Sequence, residues 1–263
     1  MFSSFMTNAW IVGTVVALLA GATGFFVVLR GSSFAAHAIP NGAFAGAAGA
    51  TLVGITPLVG LIAFAVMAAL GIGASRRHRS DVTTAMALVM MLALGAAFLS
   101  LSAAYEPQVD ALLFGEILGV ATSSIAPVVI ISLACALALA FMYRPLLFNA
   151  AAPDLASARG LNPTVLEMAF MLTLALGSAL TVPVVGALLT FSLTVGPPAA
   201  ARLITRRPVT ALVTSMLLSV VTLWASIVAS YQTNLPVGFF VGTFSALVYV
   251  AARVATQWLG RRA

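Results

Sequence analysis

The sequence predicts an all-α fold, a polytopic transmembrane bundle of eight or nine helices, on three observations. Hydrophobic residues make up 62% of the 263 residues and charged ones 7%, with a mean hydropathy of +1.14, which leaves too little polar surface for a water-soluble globule. Apolar runs of about 20 residues, the length that crosses a bilayer core, follow one another along the chain with short polar breaks. All 12 basic residues are arginine, and they fall at or near the ends of those runs, where the positive-inside rule places cytoplasmic loops. Residues 1–263 are therefore expected to form one transmembrane domain, with no room for a separate soluble catalytic domain.

Threading the chain on the arginines gives spans near 8–29, 34–55, 57–75, 82–103, 122–143, 164–181, 184–204, 209–230 and 236–256, with the C-terminus inside. The first run has no basic residue before it and no small-residue cleavage site, so it reads as a retained helix and not a signal peptide. Thr56-Pro57 reads as a cap followed by proline at the first helical position, dividing 34–75 into two helices. Gly42 and Gly46 form a GxxxG, with Gly49 and Gly54 further along, letting helix backbones approach closely in lipid. Three of the six acidic residues, Glu106, Asp110 and Glu116, fall between the fourth and fifth spans, on a loop that faces outward; they either draw cations to that mouth or belong to an ordinary solvated loop. Cys135 is the single cysteine and reads as a small core hydrophobe. The longest hydrophilic interruption runs from Tyr143 to Pro163, a cytoplasmic loop over 144–163 that encloses a short helix from about Asp154 to Arg159, closed by Gly160. That helix is either a connection or a docking element for a partner. Further on, Gly196-Pro197-Pro198 before Arg202 predicts a helix break near the inner face. Nine spans place the N-terminus outside; eight result if the segment near 34–55 or 184–204 is re-entrant.

Several function classes are excluded or weakened. There is no G-x-x-x-x-G-K-[ST] phosphate loop, so the chain is not itself an ATPase of that type. It has no G-x-S-x-G and no HExxH, and nothing suggests an intramembrane hydrolase. The arginines are read as topology signals and contacts to membrane lipid headgroups, not as a nucleic-acid surface. An ion-coupled secondary transporter stays open as an alternative, although no carboxylate lies deep in a span; Glu167 is near the inner end of its helix and reads as interfacial. His78, in a run of arginines at a cytoplasmic turn, reads as solvated. His37 is different. An ionisable residue inside a span is a functional candidate by default, and it either lines a pathway or makes a hydrogen bond near the interface.

Six pieces, in order over most of the chain, resemble the permease subunits of zinc and manganese ABC importers. They are Arg30 with the small-residue segment to Gly46, Asp81 at the start of the fourth span, and the outer segment Val109-Asp110 to Phe114-Gly115-Glu116. The others are Pro153-Asp154-Leu155-Ala156 to Arg159-Gly160, Val185-Gly186 through Pro198 to Arg202, and Leu235-Pro236-Val237-Gly238. The resemblance implies a permease subunit of a bacterial inner-membrane importer. Two permease copies would form the pathway, two copies of an ATPase subunit would dock on the coupling loops through Asp154, Ala156, Arg159 and Gly160, and an extracytoplasmic metal-binding protein would deliver the ion. It also puts His37 and Asn41 where the family's second helix has an aspartate and, four residues on, a histidine. Residues at i and i+4 share a helix face, with Pro40 between them freeing a backbone carbonyl. The family's further histidine in the fourth helix has no counterpart, Val89 standing at about that position. No cofactor is expected in the subunit; the substrate is expected to be Zn2+, because imidazole in place of carboxylate shifts the ligand set toward nitrogen, with Mn2+ or iron as the alternative.

Overall fold

The structure is a computed structural model that describes residues 4–74, 80–101, 115, 117 and 122–260. The described residues form helices joined by short turns: α1 (Ser4–Arg30), α2 (Ser33–Leu52), α3 (Pro57–Ala74), α4 (Ser80–Ser100), α5 (Ile125–Ala151), α6 (Pro153–Ala158), α7 (Pro163–Val185), α8 (Ala187–Ile204), α9 (Pro208–Thr233) and α10 (Val237–Gly260), with a 3-10 turn at Thr122–Ser124 before α5. Each expected span coincides with one helix other than the short α6. Among the described residues, α1, α5, α7, α9 and α10 are long and apolar enough by themselves to cross a membrane, and α3 and α4 are shorter apolar helices.

The turns follow from local chemistry. Gly31 and Gly54 take φ of 67° and 76°, and the amides beyond them, Ser32 and Ile55, donate back to the carbonyls of Val27 and Ala50. Those bonds close α1 and α2 with a left-handed glycine cap that other residues adopt at a cost. Pro57 then opens α3 as the Thr56-Pro57 pattern predicts. Gly160, at φ 81°, ends α6 in the same way, and the Asn162 side chain caps α7 by accepting from the amides of Thr164 and Val165.

Two expected breaks are absent. Helix α5 runs through Pro145 to Ala151, so the loop expected over 144–163 shrinks to the residues around α6. A proline removes one intrahelical bond, and burial of Leu146 against the core holds the helix across the gap. Likewise α8 continues through Pro197 and Pro198 to Ile204. Pro198 cannot donate to the carbonyl of Thr194, and that carbonyl packs against Gly24 of α1, where an added Cβ would lie 2.1 Å from it.

Helices α1 and α7 stand at the centre. Their Phe25, Phe26 and Phe170 are fully buried, and Tyr143 of α5 packs edge-on against Phe26. On one flank α8, α9 and α10 pack together, with α8 and α9 against α1; on the other, α2 is gripped by α3 and α4, and α3 by α7. Outward faces stay apolar, as at Ile130, Leu133, Leu137 and Phe141 of α5, which suits contact with lipid tails. The two ends of the bundle differ. At one, Asn8 donates to Thr122, Trp10 meets Trp224 edge-on, and the Trp224 indole donates to Thr14. At the other, Arg202 donates to the carbonyl of Val28 and Arg30 is ion-paired with Glu167.

Candidate translocation site

His37 lies one turn into α2, and Asn41 follows one turn later on the same face. Helix α2 holds this position because its small residues admit close neighbours. Gly46 lies backbone to backbone against Gly60 of α3, Gly42 faces the thioether of Met91 on α4, and Gly95 of α4 approaches Ala45.

The pair is in contact. Asn41 Nδ2 donates to the carbonyl of His37 at 2.7 Å and lies 3.5 Å from His37 Nδ1. Since a carbonyl can only accept, the amide orientation is fixed: nitrogen toward His37, and Oδ1 left without a hydrogen bond among the described residues. The contact to Nδ1 is too long to fix the tautomer, so either ring nitrogen can present a lone pair. Pro40 has no N–H to give to the carbonyl of Ala36, so a backbone oxygen is freed on the preceding turn. Asn41 is buried and His37 half-buried, and the ring of Phe191 on α8 closes on the imidazole edge-on at 5.2 Å between centroids. The arrangement therefore offers an imidazole nitrogen, an amide oxygen and a freed backbone oxygen, with no carboxylate among them. Such a set can replace part of the hydration shell of a divalent cation without trapping it. Among the described residues, no three His, Cys, Asp or Glu side chains come together.

The other expected site residues are dispersed. Glu106, Asp110, Glu116 and His78 lie outside the described residues. Asp154, Arg159 and Gly160 are exposed on or beside α6, Ala156 beneath them is buried, and the Arg159 guanidinium sits over the ring of Phe148. Val89 is 62% exposed, so the residue of α4 that turns toward α2 near Asn41 is Met91.

Two features of this region depend on the fold. No local signal in the sequence points to Phe191. Glu167, expected at the interface, is buried and paired with Arg30, whose guanidinium also lies 5.4 Å from the centroid of the Phe170 ring. A charge one turn inside an apolar span was the available signal for Glu167, and its partner is 137 positions away.

Comparison with known proteins agrees with this architecture. Manganese transport system membrane protein MntC of Listeria monocytogenes is 28% identical over 252 residues, covering 95% of this chain and 90% of its own. Its namesake from Listeria innocua is 30% identical over 206 residues, covering 77% of this chain and 73% of its own. The solved structure of PsaBC from Streptococcus pneumoniae in complex with Fab superposes with a TM-score of 0.86 at 24% identity, covering 95% of this chain and 91% of that one, which establishes a shared fold. Residues 2–256 match the ABC 3 transport family, and the chain belongs to that family as a multi-pass protein of the cell membrane.

Proposed function

We propose that this chain is the permease subunit of a bacterial ABC importer for a divalent transition-metal ion, with manganese ahead of zinc or iron as the substrate. The observation that carries the reading is the family match over residues 2–256, nearly the whole chain. Manganese gains support from the MntC relatives of Listeria. Asn41 and the carbonyl freed by Pro40 add oxygen donors on α2, and oxygen suits Mn2+ better than the nitrogen-weighted set expected from sequence.

In this reading all nine helices other than α6 span the membrane, the N-terminus is outside, and the end that holds Arg30, Glu167 and Arg202 is cytoplasmic. Helix α2, at 20 residues, is about 30 Å long, enough to cross the hydrocarbon core. His37 and Asn41 line the pathway and pass the ion. A second permease copy completes it, two ATPase subunits dock on α6, and an extracytoplasmic binding protein delivers the metal near Glu106, Asp110 and Glu116. Energy comes from the partner ATPase.

The test is uptake by the permease–ATPase complex reconstituted in liposomes, comparing Mn2+ with Zn2+ and wild type with His37→Ala. ATP-dependent Mn2+ uptake that falls about tenfold in His37→Ala is expected, the loss of roughly one good ligand. Transport by the permease alone under an ion gradient would refute the importer reading, and unchanged uptake in the variant would remove His37 from the pathway.

A further inference from the structure

We propose that Arg30 and Glu167 are positioning residues that transmit movement of the cytoplasmic coupling segment to the His37–Asn41 turn; this rests on the permease reading above. The two side chains are 5% and 6% exposed and ion-paired. Arg30 is held only loosely for a buried cation: its Nε and Nη1 have no hydrogen-bond partner among the described residues, leaving the Glu167 carboxylate and the Phe170 ring face as its anchors. A pair of this kind is weak evidence for stability, because desolvating two charges offsets their attraction and apolar replacements are often as stable. Its place in the chain suggests another role.

Glu167 lies at the start of α7, five residues beyond the Asn162 cap that ties α7 to the turn after α6. Arg30 is the last residue of α1, separated from α2 only by Gly31 and Ser32, and His37 follows one turn into α2. Arg202 binds α8, which carries Phe191, to the carbonyl of Val28 in the last turn of α1. The ion pair is thus the junction at which the coupling segment, the helix bearing His37 and Asn41, and the helix bearing Phe191 converge. A displacement of α6 turns the start of α7, pulls Arg30 through its carboxylate, and moves the Gly31-Ser32 turn that sets the angle of α2.

The experiment measures Mn2+ uptake and ATP hydrolysis together in the reconstituted permease–ATPase complex, giving ions transported per ATP. The decisive variant is Arg30→Met/Glu167→Met, which removes both charges of the pair together. Its thermal midpoint is expected to equal or exceed wild type, while ions per ATP fall about tenfold. The swap Arg30→Glu/Glu167→Arg is expected to recover the ratio to within about threefold of wild type. A wild-type ratio in the double Met variant overturns the proposal, as does a parallel fall of uptake and hydrolysis in it. A wild-type complex that imports neither Mn2+ nor Zn2+ refutes the permease reading and this role with it, whereas the first two results refute this role alone.

Discussion

Substituting Gly46 with alanine should separate α2 from α3. An ideal Cβ on Gly46 lies 2.1 Å from the carbonyl oxygen of Gly60 and 2.7 Å from Phe64 Cβ, and a Cβ on Gly60 meets the Gly46 carbonyl at 2.0 Å. Close carbon–oxygen contacts settle near 3.3 Å, so the two backbones must part by about 1 Å. Neither can yield locally, since both are regular helix. A gap of that size forfeits a quarter to a half of the dispersion well of each contact along the interface, and the expected cost is ~2–3 kcal/mol. Gly42→Ala is the matched control from the same GxxxG. Its Cβ would meet Met91 Sδ at 2.5 Å and no other atom closer than 3.5 Å, and a thioether rotates aside. Both variants gain the same helix propensity of ~1 kcal/mol relative to glycine, so their difference isolates the backbone clash. Cys135, the single cysteine and fully buried, reports unfolding through its reaction with a fluorogenic maleimide during a temperature ramp in detergent. Gly46→Ala should melt about 5 °C or more below Gly42→Ala. Midpoints for the two variants that agree within about 1 °C would refute the argument that a backbone contact fixes α2.

Two further outcomes are expected. Asp154 is exposed in the first turn of α6, so Asp154→Lys should leave the Cys135 melting midpoint unchanged while reducing the ATPase recovered with the affinity-purified permease about tenfold, as loss of an interface charge does. Ser215 is fully buried and its hydroxyl donates to the Gly21 carbonyl at 2.6 Å, binding α9 to α1; Ser215→Ala should cost ~0.5–1.5 kcal/mol, read as a small drop in the same midpoint.

The helices were legible in the sequence because a bilayer imposes one length on every crossing segment and glycine or proline marks most of the turns. Thr56-Pro57, Gly160 and the GxxxG each do locally what their chemistry requires. The prolines at 145, 197 and 198 misled for a physical reason: a missing hydrogen bond ends a helix only if nothing else holds it, and here the core packed around Leu146, and Gly24 of α1 against the Thr194 carbonyl, hold it. The same distinction runs through the site. The i, i+4 spacing of His37 and Asn41 sufficed to put them on one face, and the contact between them is local. Phe191 reaches His37 only through the packing of α8 on α2, and Glu167 changes from an interfacial carboxylate to a buried one only because Arg30 meets it. Interactions within a turn can be read from spacing; those across the bundle require the fold.

The electrostatics of the proposed pathway follow from that contrast. In the described region the buried carboxylate at the inner end is already paired with an arginine, while the His37–Asn41 turn proposed for the ion carries no carboxylate. Two elementary charges on a metal ion interact with a carboxylate at 4 Å by several kcal/mol even at an effective dielectric of about 20, so a carboxylate in place of Asn41 would deepen the well considerably. Without one the well stays shallow. In a transporter that is an advantage, because an ion held weakly leaves on the timescale of the conformational cycle and does not block it. Selectivity then has to come from the geometry of the oxygens and the imidazole, and that geometry depends on the angle of α2. An α2 held rigidly at Gly46 and steered from the Gly31-Ser32 turn would have the two properties such a site needs: a fixed outer section and an inner turn free to respond.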